Sequence, residues 1–537
     1  MGTKNLNSAT DLITFSRNSK GTALRKISYG SELVTNGDFA TDTSGWQARN
    51  SGILSVDSQR LKITNGGNNT GATRQLVSVT PNKTYKVSFS VFAGSVSTTR
   101  IFIGTTLGGS DLYTNYGFNA TNQKFELFVS SSTGGISITV AVASFTQGDY
   151  FFYDNFSIKE VLYDQPDGTL QLYNHLDNTP RIEYNADGTV KGLLIEEART
   201  NLVTTSSGWN TGATNVSFGG YTTAPDGTNT GSLFITDATG NYSTNLGTVT
   251  TSSTNQFVTF SVFFKKELAR YATFKIAKSA FDGRFWYDFD TGNTNFSTHP
   301  SFENRTFSVE DYPNGWKRMS ISFSNSSTSG VFNLNVAPSN DEPYATYNRN
   351  ITGDGTQGVY FWGAQGELAS FPTSYIPTTG STATRAADVA SIATSSRKFN
   401  SSSGTFVADF SYTDNGNTNI NYVLGGSSSA RIMYNNAGSN TWNTFDGTTS
   451  TSIGAIDGNG ATHKIAVSVR EGSSTSTCLD GTLTASASSS ALMSNTISST
   501  TISIGGGSAS QRLNGHIKSI KYYPRRLSNT QLQELTT

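Results

Sequence analysis

Short runs in which polar and apolar residues alternate recur along the whole chain. Examples are Tyr85–Val91, Ile136–Val140 and His463–Val469. Successive side chains of a β-strand point to opposite faces, so this period of two indicates strands with one buried face. Turn residues separate the runs at short intervals, which is typical of antiparallel sandwiches. The pattern therefore predicts an all-β chain of tandem antiparallel β-sandwich (jelly-roll) domains.

Two related segments indicate that one sandwich is followed by a second copy. Ser44-Gly45-Trp46, near the start of the first segment, is echoed by Ser207-Gly208-Trp209 in the second. The repeat is too long for a solenoid and indicates duplication of a whole domain. We divide the chain into an N-terminal attachment arm (1–30), a first jelly roll (31–161), a β-hairpin linker (162–200), a second jelly-roll sandwich (201–378) and a C-terminal sandwich (379–537).

The stretch between the two copies, Pro180–Leu202, joins them. Its Asp187-Gly188 predicts a two-residue type I′ hairpin, because both central residues of that turn need a positive φ. Glu196 and Glu197 are neighbours, so on a strand they point to opposite faces and cannot flank one glycosidic bond. We therefore expect Glu196, Glu197 and Arg199 to form a docking surface between domains or subunits.

The end of the chain carries the signals of a helix start. Ser528 is followed three residues later by Gln531, which is the spacing of a capping box, and Leu527 and Leu532 are placed as a hydrophobic staple. The sequence therefore predicts one short C-terminal helix.

The composition excludes several classes of function. Charged residues make up 14% of the chain, against roughly 25% in ordinary soluble domains. The net charge is +0, so no nucleic-acid partner is expected. No apolar run approaches the roughly 18 residues of a membrane span, which argues against membrane insertion. The N-terminus lacks a signal-peptide pattern, so we expect synthesis in the cytoplasm of the cell without one.

Residue patterns for catalysis are weak. Asp288 and Asp290 would share one face of a strand, as glycosidic chemistry could use, but the following Thr291-Gly292 makes Asp290 a turn residue. The histidines lack metal-ligand spacing and no HExxH pattern occurs; they are His175, His299, His463 and His516. The sequence therefore predicts a chain that is not an enzyme.

Several motifs of the first jelly roll resemble carbohydrate-binding modules of the family 4/9 and 22 type. They are NGDF at 36–39, Gly45-Trp46, TPNKTYKVSFSV at 80–91 and YDNFSIKEV at 153–161, and the resemblance spans residues 32–161. It implies a jelly roll that binds glycans and holds a structural calcium ion. Asp38 and Asp154 lie in the matching motifs and are the candidate ligands, with turn capping as their alternative role. No other cofactor is implied.

Glycan binding needs exposed aromatic rings that stack on sugar faces. The candidates are Trp46, Tyr113, Tyr116, Trp209, Trp286 and Trp442. Trp316 and Trp362 lie within strand patterns and are predicted to be core residues instead.

The last domain resembles the concanavalin-like, laminin-G-type sandwich. This resemblance is carried by LNGHIKSIKYYPRRLS at 513–528 and by the Asp480-Gly481 hairpin signal.

Three stretches together resemble virion appendage proteins of tailed bacteriophages, especially tail fibres. They are GLLIEEARTNLV at 192–203, SFPTSYIPTTGSTATRAADV at 370–389 and LNGHIKSIKYYPRRLSNTQLQEL at 513–535. The resemblance implies a virion structural protein that presents glycan-binding sandwiches for attachment to a host-surface glycan. It also implies other virion proteins as partners, reached through the N-terminal arm, and a homo-oligomer, with a trimer favoured by analogy. A structural capsid decoration or tail connector and a polysaccharide-degrading tail protein are the alternatives.

Overall fold

The computed structural model describes residues 13–119, 123–212, 215–237, 244–278, 281–300, 302–325, 329–340, 354–396, 399–413, 421–426, 430–435, 440–487, 491–506 and 511–537. Strands account for 59% of the chain and helices for 4%. The predicted all-β class is confirmed.

The chain divides into two compact units. One comprises Lys26–Thr169, and we call it the first sandwich; the other comprises the residues up to Arg25 together with Leu170–Thr537, and we call it the large unit. The described chain begins with β1 (Thr14–Ser16) and β2 (Gly21–Tyr29). It continues through β3 (Gln47–Arg49), β4 (Gly52–Asp57), β5 (Arg60–Asn65), β6 (Ala72–Ser78), β7 (Thr84–Phe92), β8 (Thr98–Gly104), β9 (Tyr113–Asn119), β10 (Gln123–Ser130), β11 (Gly135–Val142) and β12 (Tyr150–Tyr163).

The first sandwich has two antiparallel sheets. In one, β7 lies between β10 and β12, and β12 also pairs with β5, which pairs with β4. The other is five-stranded, in the order β3-β6-β11-β8-β9. The alternating apolar residues of both sheets meet in one core, in which Val87, Phe89, Ile101 and Ile138 are fully or almost fully buried. The period of two therefore predicted which residues face inwards.

The large unit holds the remaining elements. Its strands between the first sandwich and the chain middle are β13 (Thr169–His175), β14 (Ile182–Tyr184), β15 (Val190–Ile195), β16 (Arg199–Asn201), β17 (Val216–Thr222), β18 (Gly231–Thr236), β19 (Asn245–Thr251), β20 (Gln256–Lys266), β21 (Tyr271–Lys278), β22 (Phe281–Asp288), β23 (Thr294–Thr298), β24 (Phe302–Asp311), β25 (Trp316–Asn325), β26 (Gly330–Ser339) and β27 (Gly358–Glu367). They are followed by β28 (Ala383–Arg385), β29 (Val389–Ala393), β30 (Ser403–Thr413), β31 (Asn421–Gly425), β32 (Arg431–Asn435), β33 (Thr441–Phe445), β34 (Ser450–Ala455), β35 (Asn459–Arg470), β36 (Ser474–Leu479), β37 (Thr482–Ala487), β38 (Thr501–Ile504) and β39 (Gly515–Tyr523). In the described part of the chain, short 3-10 helices lie at Pro313–Gly315 and Thr394–Ser396, and α-helices at α1 (Leu492–Ser498) and α2 (Asn529–Thr536).

A second sandwich repeats the strand order of the first. Its sheets run β17-β18-β27-β20-β25-β24 and β19-β26-β21-β22-β23. The central strand β20 lies between β25 and β27, as β7 lies between β10 and β12. Trp316 and Trp362 are buried here, which confirms both as core residues. The prediction of tandem sandwiches is therefore confirmed.

The C-terminal sandwich takes strands from distant parts of the chain. Its sheets run β1-β29-β38-β31-β32-β33-β34 and β14-β15-β39-β30-β35-β36-β37. Strand β1 comes from the predicted attachment arm, and its Phe15 lies opposite Ala390. Ile13 and Phe15 of the arm pack against the core of this sandwich, and attachment of the arm to other virion proteins stays a prediction.

The predicted hairpin forms within Pro180–Leu202, the stretch that we call the joint, but its turn differs from the prediction. Strands β14 and β15 pair, with Ile182 opposite Leu193. The Gly188 N–H donates to the Asn185 carbonyl at 2.9 Å, and Gly188 alone of the Asp187-Gly188 pair has a positive φ, 84°. This is a longer loop with glycine in the left-handed position, not a type I′ turn.

Among the described residues there are two α-helices, where the sequence predicted one. Helix α2 starts at the predicted capping box, in which Ser528 accepts from the Gln531 N–H. The additional helix, α1, is only seven residues long, too short to show a helical period in the sequence. Among the described residues, neither helix has the length and hydropathy that a membrane-spanning helix needs.

Candidate functional site

The outer face of the five-stranded sheet in the first sandwich carries an unusual set of side chains. Val77, Ile101 and Ile103 point into the core, so the residues that alternate with them on β6 and β8 point outwards. Those residues include Arg74, Arg100 and Phe102. The face is therefore cationic and aromatic, and its centre lies on strands that a sequence pattern alone cannot place side by side.

Strand register places several of these residues in one row. Arg74 lies opposite Thr139 on β11, and Thr139 lies opposite Phe102 on β8. Arg100, two residues before Phe102, lies opposite Ala141. The small side chains of the central strand are buried between their larger neighbours. Arg74 and Arg100 thus flank a strand of small residues, which leaves a shallow floor between larger groups.

Exposed aromatic rings border this floor. The Tyr116 side chain is 67% exposed, and its ring meets the Phe102 ring edge-to-face with 5.4 Å between centroids. Phe145 is 61% exposed, and the Arg100 guanidinium carbon lies 5.4 Å from its ring centroid. These rings have free surface on which a planar or weakly polar ligand face can stack.

At one end of the face, the guanidiniums of Arg49 and Arg74 lie next to the backbone of Gly108. The Arg49 Nη1 lies 3.4 Å from the Gly108 carbonyl oxygen. A methyl group in place of the Gly108 hydrogen would lie 2.8 Å from Arg49 Nη1 and 2.9 Å from Arg74 Nη1. The Arg49 and Arg74 guanidiniums therefore approach the same point of the backbone. We call the surface formed by Arg49, Arg74, Arg100, Phe102, Tyr116 and Phe145 the arginine–aromatic face.

Three of the six aromatic residues predicted as glycan contacts belong to the first sandwich: Trp46, Tyr113 and Tyr116. Trp46 is only 7% exposed and packs between Phe39 and Phe156, with its indole N–H donating to the Asn36 carbonyl. Tyr113 is half-buried and packs edge-to-face on the core residue Phe125. Tyr116 alone of these three presents a free ring.

The predicted contacts in the large unit are largely buried. Trp442 has 0% exposure and Trp286 has 4%, so neither ring has a free face for a sugar. Trp209 is half-buried and packs near Phe234, with 6.4 Å between ring centroids. The assignments of Trp286 and Trp442 are corrected for a physical reason: large aromatic rings contribute most apolar area when a sandwich core encloses them. A glycan contact at Trp209 stays a prediction.

The predicted calcium pair is close enough for the two charges to interact. Partial burial raises the pKa of the Asp154 carboxyl above its ordinary value, and the Asp38 charge adds to this shift. Asp154 also accepts a hydrogen bond from the Asn155 N–H at 2.7 Å, as in turn capping. Within the described residues no group of three or more carboxylate, histidine or cysteine side chains is placed to hold a metal. A calcium ion here stays a prediction.

A network of buried charges lies at the predicted docking residues of the joint. Arg181 Nη2 lies 2.8 Å from Glu196 Oε2 and also contacts the Asp388 carboxylate. Arg17 Nη1 lies 3.1 Å from Asp388 Oδ1. Arg385 Nη2 lies 3.4 Å from Glu196 Oε2. Burial alone raises the pKa of the Glu196 carboxyl, but Arg385 and Arg181 outweigh it and lower that pKa.

The remaining docking residues lie at the edge of this network. Glu197 is buried and pairs with Arg199, whose Nε lies 4.0 Å from Glu367 Oε1. The Glu197 N–H donates to Asn514 Oδ1 at 2.9 Å. A role for Glu196, Glu197 and Arg199 in docking between subunits stays a prediction, since their described contacts lie within the large unit.

A second ionic cluster lies on the hairpin of the joint. His516 Nε2 lies 2.6 Å from Glu183 Oε2, and Lys191 Nζ lies 3.7 Å from the same oxygen. Burial by itself raises the pKa of the Glu183 carboxyl, but Lys191 and the His516 hydrogen bond outweigh it and hold the pKa at about 2. The folded chain therefore keeps this carboxylate ionised well into the acid range.

The Glu183 carboxylate is expected to make the large unit sensitive to acid. Its pKa is lower in the folded chain, about 2, than the ordinary value of 4.5, so its stabilisation is present above pH 4.5 and is lost as the pH falls towards 2. We expect up to about 3 kcal/mol to be lost across this window. Urea unfolding at several pH values should show a flatter dependence for Glu183→Gln than for the unchanged chain. Equal slopes would contradict the assignment.

Sequence reasoning did not find the arginine–aromatic face or the partners of Glu196. The signal for the face was present, because Arg74 and Arg100 both stand at polar positions of alternating strands. What the sequence did not contain was the register that makes these strands neighbours.

The comparisons with known proteins agree with one part of the sequence prediction. Residues 31–139 match the carbohydrate binding domain family. Among solved structures, the N-terminal CBM22-1-CBM22-2 tandem domain from Paenibacillus barcinonensis Xyn10C is similar at 13% identity and a TM-score of 0.20, and the alignment covers 64% of this chain and 98% of that chain. No curated protein matches the chain. The resemblance to a carbohydrate-binding module is thus confirmed for residues 31–139.

Proposed function

We propose that the first sandwich binds a glycan on the arginine–aromatic face. The observation that carries this proposal is the free ring of Tyr116, which stands over Phe102 on the outer face of a domain that matches a carbohydrate-binding family. A pyranose ring offers one weakly polar face that stacks on such an aromatic group, while guanidiniums donate hydrogen bonds to its oxygens.

Replacing Tyr116 with alanine is expected to weaken glycan binding by about tenfold, because a central aromatic contact contributes on the order of 1–2 kcal/mol. Binding of the full chain to a glycan array and to host envelope preparations would identify a ligand, and titration calorimetry would compare the variants. Tyr221→Ala is the matched control, since Tyr221 is also an exposed tyrosine but lies in the second sandwich.

Two results would contradict the proposal. One is that the unchanged chain retains no glycan and binds no envelope preparation. The other is that Tyr116→Ala and Tyr221→Ala bind equally well, which would place the site elsewhere.

We further propose that the chain is a virion appendage protein of a tailed bacteriophage, such as a tail fibre, that attaches the particle to a host-surface glycan. The support is the resemblance of three stretches, 192–203, 370–389 and 513–535, to such proteins. In the structure these stretches are neighbours: Leu193 pairs with Ile517, and Arg199 pairs with Arg385. They therefore form one joint and not three independent motifs.

Locating the protein in purified particles tests this second part. Immunogold labelling of an exposed appendage, and inhibition of adsorption by the free chain, are the expected results, with a trimer by native mass measurement. Labelling that is confined to the capsid or an internal connector would favour the structural alternative. Absence from particles would overturn a virion role.

We infer that the chain acts by binding and not by catalysis. The two carboxylates that the sequence placed on one strand face are in ion pairs: Arg270 Nη2 lies 2.9 Å from Asp288 Oδ2, and Lys266 Nζ lies 2.7 Å from Asp290 Oδ1. Both charges are thereby engaged with cations. Release of reducing ends from a host polysaccharide would contradict this inference.

A further inference from the structure

We propose that the glycan recognised by the arginine–aromatic face carries carboxylate groups, as an acidic polysaccharide does. This inference rests on the proposed glycan-binding function and names the class of ligand. It starts from the charges of the face, which a neutral sugar would leave uncompensated.

Cationic side chains converge on this face without an anionic partner. Within the described part of the first sandwich, neither Arg74 nor Arg100 makes a hydrogen bond or an ion pair, and both of their Nε atoms are buried without an acceptor. Arg49 makes one long contact, to the Gly108 carbonyl. Arg49 Nη1 and Arg74 Nη1 approach the same point beside Gly108, so these two like charges repel each other and an anion bound beside them would be attracted to both.

The carboxylates in the adjoining loops are already engaged. Asp111 accepts from both the N–H and the hydroxyl of Thr105, each at 2.9 Å. Asp149 accepts from the Ser95 hydroxyl at 2.9 Å and also from Ser144. Among the described contacts neither carboxylate forms an ion pair with Arg49, Arg74 or Arg100, so the three guanidiniums have no direct anionic partner.

The positive charge is a local feature and not a property of the whole chain. The sequence has 38 lysine and arginine residues against 38 aspartate and glutamate residues. The face therefore brings together three guanidiniums that form no ion pair among the described contacts, on a chain with no net charge. It also differs from the general cationic surface of a protein that binds any polyanion.

The arginine–aromatic face offers an acidic glycan two kinds of contact. Guanidinium groups present planar pairs of N–H donors that match a carboxylate. Tyr116 and Phe102 offer ring surface beside them, because Phe102 follows Arg100 by two residues on the same strand face. A sugar ring stacked on Tyr116 can thus direct a carboxylate towards the arginines. Nucleic acid would satisfy the charges too, but the match of this domain to a carbohydrate binding family favours a glycan.

The test compares two ligands that have the same sugar backbone, one with charged carboxylates and one with neutral methyl esters. The full chain is titrated with polygalacturonate and with the same polymer after complete methyl esterification. Binding to the acid form should be at least about tenfold tighter, and should weaken as salt is added. Equal binding of the two forms would overturn the inference, and so would equal competition by a single-stranded oligonucleotide.

Variants test whether the named arginines carry the selectivity. Arg74→Gln should weaken polygalacturonate binding about tenfold and leave binding of the ester unchanged. The matched control is Arg60→Gln, which removes the same charge from the other sheet of the first sandwich, where Arg60 lies over Phe92. Equal losses in both variants would indicate non-specific attraction and overturn the inference. Thermal unfolding checks that each variant is folded, and the ligand comparison needs no variant.

The outcomes separate this inference from the proposed function. If the ester or another neutral glycan binds as well as the acid, the face binds glycans without selecting for charge. If no polysaccharide of either kind binds, the glycan-binding function itself fails.

Discussion

Replacing Asp388 with asparagine is expected to lower the free energy of unfolding of the large unit by about 3–5 kcal/mol. The Asp388 carboxylate is fully buried and accepts from Arg17 at 3.1 Å, from Arg181, and from the Glu196 N–H at 2.9 Å. Asparagine keeps one oxygen but loses the charge. Arg17 would then lose its ion-pair partner, and the buried Arg181 and Arg385 would keep their contacts with the Glu196 carboxylate.

The size of this effect comes from desolvation and not from the pairing energy alone. A buried ion pair contributes little net stability, because both charges lost their water on folding. Removal of one partner is costly because the other stays buried and uncompensated. The Asp388 contacts also connect three distant segments of the chain, because Asp388 pairs with both Arg17 and Arg181. Arg17 and Asp388 lie 371 residues apart in the sequence.

Urea unfolding combined with hydrogen exchange would measure the loss and assign it to the large unit. Asp311→Asn is the matched control, because Asp311 pairs with Lys317 and its side chain is 71% exposed. An exposed pair contributes on the order of 0–1 kcal/mol, so this control should stay close to the unchanged chain. Similar small losses for both variants would show that the buried network does not stabilise the joint.

Replacing Trp442 with alanine is expected to destabilise the C-terminal sandwich by about 3–5 kcal/mol without any change in glycan binding. The ring has 0% exposure and lies 5.0 Å from the Phe410 ring and 5.2 Å from the Tyr412 ring, between centroids. Its removal would leave a cavity that two large neighbours cannot fill. This outcome would show that Trp442 is a core residue and not the glycan contact that the sequence suggested.

The indole nitrogen of Trp442 allows a more specific test. Among the described residues it is a buried N–H without an acceptor, and an unsatisfied buried donor costs roughly 1–3 kcal/mol. Trp442→Phe should therefore cost clearly less than Trp442→Ala, because it keeps most of the apolar contact and removes that donor. Thermal unfolding of both variants, with glycan titration in parallel, would show this. A binding loss at unchanged stability would contradict the core assignment.

Local pattern determined much of the fold. Alternation at Tyr85–Val91 and Ile136–Val140 predicted strands and their inward residues, because the two faces of a strand are set by a period of two residues. The capping box at Ser528 likewise started α2 at its predicted residue, since cap and partner are three positions apart. Signals of this kind act within one element and need no knowledge of the rest of the chain.

The same locality explains the errors. An aromatic residue in an alternating run can face a core or a ligand. Trp442 is buried and Tyr116 is exposed because of what packs on each ring in the tertiary structure. The arm strand β1 could not be assigned to the C-terminal sandwich, because its partner β29 begins at Val389. The apolar residues of β1 indicated that some surface must cover them, but the sequence did not indicate which sheet provides that surface.

What the sequence determined by itself is the all-β architecture, the duplicated sandwich and the likeness of residues 32–161 to a carbohydrate-binding module, which the family match supports over residues 31–139. Only the tertiary structure decided which side chains meet. Arg74 and Phe102 lie in one row with Thr139 because three strands pair in one register, and Asp388 meets Arg17 because β1, just before Arg17, pairs with β29, just after Asp388. Strand register and long-range pairing depend on the packing of the whole core, so residue spacing along the chain does not encode them in a readable form.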